Sequence, residues 1–572
     1  MKYNPGKIER KWQQYWFKKG VFEPDLVRAR RPFYNLMMFP YPSAEGLHVG
    51  NMYAFTGADI YGRYRRMQSN DVFEPIGLDG FGIHSENYAL SIGVHPKILA
   101  KRTQKNFYRQ LHATGNSYAW KNKLETYDPE YYRWTQWIFV QMFKNGLAYR
   151  KKASVNWCPS CLTVLADEQV IGGECERCGT KVTRKELEQW FFRITAYADR
   201  LLKNLEKIDW SENVKLMQKN WIGRSEGYEV EFKVAGQNER IRVFTTRIDT
   251  LFGATYLVLA PEHPSVPKIT TKVEEARVKN YVEESLKKSD FERTLEKEKT
   301  GVFSGSWAIN PATKEKIPIW ISDYVLLSYG TGAIMGVPSH DRRDWEFAKK
   351  FHLPIRQVIT WPDARPDEPY EGEGTLINSG PFDRLASAVA REKIANFVGA
   401  RFKIQYKLRD WLISRQRYWG PPIPVVFCQA CKKRIEDLKR ILQSTKLKKE
   451  FSKGEIENPG WIAVPERNLP VLLPYIKNFR PTGTGVGPLA SLESFVNTRC
   501  PKCKGPARRE TDVSDTFLDS AWYFLRYPSV KYKKGPWEPK VTKKWLPVDM
   551  YIGGAEHAVL HLLYSRFLTM VF

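Results

Sequence analysis

Residues 31–75 read RPFYNLMMFPYPSAEGLHVGNMYAFTGADIYGRYRRMQSNDVFEP. Pro32 precedes an apolar run, Phe33 to Phe39, that suits a buried strand. Pro40 to Gly50 is a turn-rich loop. A helix is expected from about Met52 to Met67, where Phe55, Ala58, Tyr61 and Tyr64 recur at near-helical spacing. A strand follows around Val72 and Phe73. Strand, loop, helix and strand make the unit of a parallel α/β sheet. His48-Val49-Gly50-Asn51 sits at the loop–helix junction. A histidine there can donate to a phosphate, and Gly50 lets a nucleotide approach the backbone. Taken alone, the four residues fit a surface turn better than a nucleotide site.

Outward from this stretch the texture changes several times. Thr103 to Tyr149 is helical and aromatic-rich, and a cysteine module interrupts at Val155–Val182. From Tyr228 to about Lys407 short β-type segments, such as Tyr228–Val234 and Ile241–Thr245, alternate with Gly-rich turns, as in a separate inserted domain. After Tyr406 a second α/β stretch appears, interrupted by a Lys-rich polar segment (Lys432 to Lys453) and a second cysteine module. The end reads as a strand, Met550–Ile552, a Gly-Gly turn and a helix still running at Phe572, which suggests a truncated or split protein.

A chain of 572 residues needs more than one core, and its 42% hydrophobic content supplies them, which excludes a disordered chain. The net charge of +27 attracts polyanions, nucleic acid first among them, although a generic basic enzyme also fits. The N-terminus has no apolar signal core, and no run of about 20 apolar residues occurs. No membrane association and a cytoplasmic location are therefore expected.

All 8 cysteines fall in Cys-x-x-Cys pairs: Cys158/Cys161, Cys175/Cys178, Cys428/Cys431 and Cys500/Cys503. Thirteen residues separate the first two pairs, a spacing that closes a four-thiolate zinc knuckle. The other two pairs have 68 residues between them, so only the fold can join them. Both sites would be structural, because four thiolates leave no open coordination position. Free dithiols or redox pairs would also fit the spacing.

The run Met38-Phe39-Pro40-Tyr41-Pro42-Ser43-Ala44-Glu45-Gly46-Leu47-His48-Val49-Gly50-Asn51 resembles the signature of class I aminoacyl-tRNA synthetases, with the leucine-type lead-in at Phe39–Ser43. Valine- and isoleucine-type enzymes differ there. Further similar blocks follow in order: Gly77-Leu78-Asp79-Gly80-Phe81-Gly82, Trp221–Ser225, Thr245–Thr250, Arg409–Gly420 and Tyr551–His557. The resemblance covers essentially the whole chain. It implies an α/β architecture: a Rossmann-type nucleotide-binding catalytic domain with an inserted β-rich editing domain and small zinc-knuckle modules. The corresponding division is 1–150 catalytic, 151–185 zinc knuckle, 186–225 catalytic, 226–405 editing, and 406–572 catalytic with a zinc module around 428–503. A knuckle ahead of the insertion looks bacterial-type.

The resemblance also implies roles. His48, Gly50 and Asn51 bind the ATP phosphates, His48 and Asn51 acting in catalysis. Gly554, Glu556 and His557 contact adenosine. Asp79 holds the leucine ammonium, and Phe39, Tyr41, Phe517, Tyr551 and His561 surround the aliphatic side chain. Asp79 and Glu556 are expected to be buried and partnered, since an unpartnered buried carboxylate is costly. In the editing domain Thr245, Thr246, Arg247 and Thr250 form one wall and Met335, His340 and Asp344 the other, with Thr250 excluding leucine and Asp344 binding the free amino group. Plain β-propensity would also explain the threonines. A second sieve is needed because one methylene gives only about 1–3 kcal/mol of discrimination.

The implied function is ATP-dependent attachment of leucine to tRNA(Leu) through leucyl-adenylate, with hydrolytic editing, ATP·Mg2+ as substrate and Zn2+ in one or two structural sites. Asn51 replaces the usual second histidine, Ile248 a proline, and Ile83-His84-Ser85 a Leu-Pro-Ala type run. No Lys-Met-Ser-Lys-Ser loop and no anticodon-binding domain occur. The resemblance therefore implies weak leucine activation by this chain alone, and fits a fragment or one subunit whose partner is a second polypeptide. An editing-only aminoacyl-tRNA hydrolase would fit the same gap. A non-catalytic RNA-binding paralogue should show damage at Asp79, Glu556 or Asp344, and all three acids are present.

Overall fold

The structure, a computed structural model, describes all residues except 1–2, 43–44, 287, 289–292, 294–298, 328–329, 363–367 and 442–443, together with the side chains of 168 and 444. Ser43 and Ala44 of the signature therefore lie outside the described residues.

The opening stretch forms a strand, Pro32–Met37, a helix, Val49–Met67, and a strand, Asp71–Phe73. The strands pair in parallel, Pro32 opposite Asp71. On its other side the first strand takes Met550–Ile552, also parallel, Asn35 opposite Met550. Residues more than 500 positions apart thus share a 3-stranded parallel sheet. The helix lies close over it: a Cβ on Gly62 would stand 2.1 Å from Glu74 Oε2. Only glycine permits that approach.

Ala148–Cys158 and Thr183–Phe192 form a long antiparallel ribbon, with the first four cysteines at its tip. A 4-stranded sheet, in the order Trp461–Ala463, Val425–Phe427, Pro506–Arg509 and Asn497–Arg499, brings the other two cysteine pairs together. The Lys-rich segment is not an irregular interruption. It folds as the helices Gln429–Arg440 and Ser444–Glu450, which bury Ile435, Leu438 and Leu447 and expose their lysines.

The middle of the chain builds a 7-stranded sheet. The chain enters it on Arg224–Val234 and leaves on Arg401–Tyr406, antiparallel neighbours with Arg224 opposite Tyr406. Burial along Val230–Val234 alternates with period 2, so Val230, Phe232 and Val234 fill one core while Glu231 and Lys233 face water. That core is separate from the one around Trp190, Trp411 and Trp522. Among the described residues no helix is long and apolar enough to cross a membrane.

Candidate functional site

Parallel sheets bind ligands beyond the carboxyl ends of their strands. There the structure gathers Tyr41, His48, Asp79 and the 552–557 turn. His48 is the N-cap of Val49–Met67: its Nδ1 accepts the Asn51 N–H at 3.3 Å, and its own N–H donates to Asn51 Oδ1 at 3.3 Å. Asn51 is buried, and its oxygen is engaged in this capping box, so its first task is to start the helix. His48 itself is exposed to the crevice. A Cβ on Gly50 would meet the His48 ring at 3.0 Å, so glycine keeps that imidazole in place.

Asp79 is fully buried. Its carboxylate accepts from Ser520 Oγ at 2.5 Å and from Thr126 Oγ1 at 3.1 Å, and its N–H donates to Pro40 O. Burial pushes its pKa up to about 7 against the opposing pull of these two hydroxyls. Asp519, one residue before Ser520, is also buried; Thr135 Oγ1 donates to it at 2.7 Å. Burial raises its carboxyl well above the usual range.

An aromatic wall stands beside this acid group. Phe39 stacks on Tyr523 at 4.2 Å, and Tyr523 and Tyr551 approach His561 at 5.4 and 5.5 Å. Burial drives His561 down to about 3, so the ring is neutral at physiological pH. Phe517 packs on Tyr564 at 5.9 Å. It belongs to the same helical turn, Thr516–Ser520, that delivers the Ser520 hydroxyl. Gly554 caps the turn Ala555–Ala558, and a Cβ there would lie 2.2 Å from the Glu556 carboxylate. Glu556 corrects the sequence reading. Its side chain is 65% exposed, 4.0 Å from His557, so it needs no buried partner.

The two walls read in the inserted domain converge on one turn. Arg247 donates to the carbonyls of Glu371 and Gly372, while His340 Nδ1 lies 3.1 Å from Tyr370 O. Nε2 of His340 accepts the N–H groups of Val358 and Ile359, so Nδ1 carries the proton that goes to Tyr370 O. Burial lowers its pKa to about 4. Asp344 is buried, taking the Val337 N–H at 2.9 Å and the Tyr324 hydroxyl at 3.0 Å. Burial raises it to about 7. Met335 pairs with Leu257 in the sheet. Thr245 Oγ1 accepts the Arg247 N–H, and Thr250, fully buried, donates to Arg247 O at 2.7 Å. Thr246 is exposed.

Each set of four cysteines has its Sγ atoms within 4.8 Å of one another, with contacts of 3.5 Å for Cys158–Cys178 and Cys161–Cys178, 3.4 Å for Cys428–Cys503 and 3.6 Å for Cys431–Cys500. A tetrahedral site with metal–sulfur bonds of about 2.3 Å has edges of about 3.8 Å, so both sets could hold a metal ion.

A cavity of about 620 Å³ between the ribbon and the linkers at Trp221 and Lys407 is lined by Trp221, Arg409, Asp410 and Leu412 of the blocks quoted above, but by none of the candidate site residues.

The chain is 50% identical over 570 residues to a leucine–tRNA ligase of Caldanaerobacter subterraneus subsp. tengcongensis, covering 99% of this chain and 66% of the relative. It is 49% identical over 581 residues to that of Thermotoga maritima, covering 100% and 67%. The chain belongs to the leucine–tRNA ligase family. It spans about two thirds of the length of these relatives. Residues 36–229 match the model for class I (M) tRNA synthetases and residues 219–399 that for the leucyl-tRNA synthetase editing domain. The crystal structure of Agrobacterium radiobacter K84 agnB2 LeuRS, in a ternary complex with tRNA and LeuAMS, superposes with a TM-score of 0.83 at 37% identity, over 100% of this chain and 65% of that one.

Sequence reasoning missed Thr126 and Ser520, which bond Asp79, and Tyr523, which stacks on Phe39. Nothing in their local sequence separates them from core residues. Only Ser520, three positions after Phe517, could have been found by helical spacing.

Proposed function

We propose that this chain carries the leucyl-adenylate site and the editing site of a leucine–tRNA ligase. It would use leucine, ATP·Mg2+ and tRNA(Leu) in the cytoplasm. The observation that carries this reading is Asp79. A buried carboxylate with two hydroxyl donors beside an aromatic wall, at the carboxyl end of a parallel sheet, fits an ammonium next to an aliphatic side chain. His48 caps the N-terminus of the helix Val49–Met67, the end of a helix that favours a phosphate. There a donor would stabilise charge as pyrophosphate leaves. Glu556 and His557 would meet the adenosine.

The second site would hydrolyse mischarged tRNA. Asp344 would hold the free amino group, and Thr250 would narrow the space left for the amino acid side chain. Arg247, Thr245 and Thr246 form one wall; Met335 and His340 form the other. His340, neutral and bonded through both nitrogens, would hold the wall and take no part in proton transfer. Zn2+ suits both four-cysteine sets, where it would stiffen the ribbon tip and the module around Cys428–Cys503. The domain division follows the same reading, with the editing unit entered and left near residues 226 and 405.

Deacylation of norvalyl-tRNA(Leu) by the purified chain tests this directly. The expected result is hydrolysis that disappears with Asp344→Ala. Hydrolysis that persists unchanged in the variant would contradict the assignment of the site.

A further inference from the structure

Ahead of His48 the signature loop has no backbone support of its own. Among the described residues no backbone–backbone hydrogen bond involves Glu45, Gly46 or Leu47. The capping box with Asn51 fixes His48 from the helix side only. The other side is held by a neighbouring helix, Pro96–Ala113.

Phe107, Tyr108 and Leu111 of that helix share a core cluster with Met37, Phe55 and Ala58, from the strand and the helix that flank the loop. The helix is therefore fixed to the sheet, and Leu47 packs against the same cluster. Arg102, Asn106 and Gln110, at i, i+4 and i+8, form a row along it. Each of the three bonds the loop. Arg102 Nη2 donates to the Glu45 carboxylate at 2.8 Å, Asn106 Nδ2 donates to the Glu45 carbonyl, and Gln110 Oε1 accepts the Leu47 N–H at 2.8 Å. Arg109 donates to the Asn106 oxygen at 2.8 Å, which turns the amide nitrogen of Asn106 to the loop. A Cβ on Gly46 would stand 2.5 Å from both Oε1 and Nε2 of Gln110, so glycine leaves room for that amide.

These contacts differ in weight. Arg102 and Glu45 are both exposed, so water screens their pair and it holds the loop weakly. Gln110 and Leu47 are half-buried, and their bond fixes the peptide directly ahead of His48. The extended backbone of His48, φ −106° and ψ 167°, then aims the ring at the crevice. The leucine side of the crevice is tied down elsewhere, by the Asp79 N–H on Pro40 O and by Phe39 stacked on Tyr523.

We propose that Gln110 is a positioning residue for nucleotide binding, holding the Leu47 peptide so that the His48 imidazole stays aimed at the phosphates. The inference rests on the reading of His48 given above. Gln110 acts through His48 and makes no contact of its own with the nucleotide.

The test is calorimetric titration of the whole chain with α,β-methylene-ATP and Mg2+, and separately with leucine. Four proteins are compared: the wild type, Gln110→Met, His48→Ala and the double variant. Methionine keeps the length of the side chain and removes the acceptor. Gln110→Met is expected to weaken nucleotide binding about fivefold, the worth of one such bond, and to leave leucine affinity unchanged. The double variant should bind nucleotide no more weakly than His48→Ala alone, because the two residues act as one unit. In the free protein, hydrogen exchange at the Leu47 amide should speed up in Gln110→Met. Additive losses in the double variant would show that Gln110 works without His48 and would overturn the proposal. So would wild-type nucleotide affinity in Gln110→Met beside a loss in His48→Ala, or an equal loss of leucine and nucleotide affinity in Gln110→Met. Unchanged nucleotide affinity in all three variants would remove the reading of His48 itself, and the proposal with it.

Discussion

Ser520 donates its hydroxyl proton to the carboxylate of Asp79 at 2.5 Å, joining two buried residues 441 positions apart. One stands on the loop after Asp71–Phe73 and the other on the helical turn that carries Phe517. Ser520→Ala removes that donor without exposing the site. The expected outcome is a loss of leucine affinity of about 1–3 kcal/mol, read as a rise in the dissociation constant by calorimetry. Thr126→Val should act in the same direction, and an unchanged affinity in both would remove the hydroxyls from the pocket's chemistry.

Asp79 also sets a pH dependence. Its folded pKa, about 7, lies above the ordinary value of 3.8, so the folded protein holds a proton that the unfolded chain releases. Stability is therefore lost as pH rises between these two values. Asp79→Asn should stabilise the chain little at pH 4 and increasingly towards pH 8, by up to about 4 kcal/mol. Melting curves of both proteins across that range check the sign. Leucine binding should strengthen over the same interval, because only the ionised carboxylate pairs with the ammonium.

His340 gives the opposite sign. Burial holds it near 4, below the ordinary 6.5, so the unfolded chain binds the extra proton. Stability of the inserted domain should fall as pH drops through this interval. His340→Asn should flatten that part of the pH profile while lowering stability at pH 7, because the bonds to Val358, Ile359 and Tyr370 are cut. A variant as pH-sensitive as the wild type would count against the assignment.

Metal analysis of the purified chain should find two zinc ions per molecule. Cys431→Ser should lose one and Cys161→Ser the other, each with a lowered melting temperature. Retention of both ions in either variant would contradict the four-thiolate reading.

Thr250→Ala should open the editing site to the cognate amino acid. The wild type is expected to spare leucyl-tRNA(Leu) and the variant to hydrolyse it, measured as release of labelled leucine. A variant that still spares leucyl-tRNA(Leu) would show that Thr250, bonded to Arg247 O, serves only to hold its own turn.

Much of this was legible in the chain because the informative pieces are local. The apolar run before His48, the helical spacing after it and the Cys-x-x-Cys pairs each lie within one element. Long-range closure was not legible. Nothing near Cys431 says that Cys500 will meet it, and nothing near Arg224 says that Tyr406 will pair beside it. Burial was misjudged where an apolar neighbourhood in sequence is a turn in space: Glu556 sits among Gly553, Gly554 and Ala555, yet points to solvent. The role of Asn51 was hidden for a related reason, since a capping box depends on backbone geometry that residue types only suggest.

The most direct test of the central claim is calorimetric titration of the chain with a non-hydrolysable leucyl-adenylate analogue. Binding to the wild type, lost at least tenfold in Asp79→Asn and unaffected in Asp344→Asn, is the predicted result. Equal affinity in the wild type and Asp79→Asn, or a loss confined to Asp344→Asn, would contradict it.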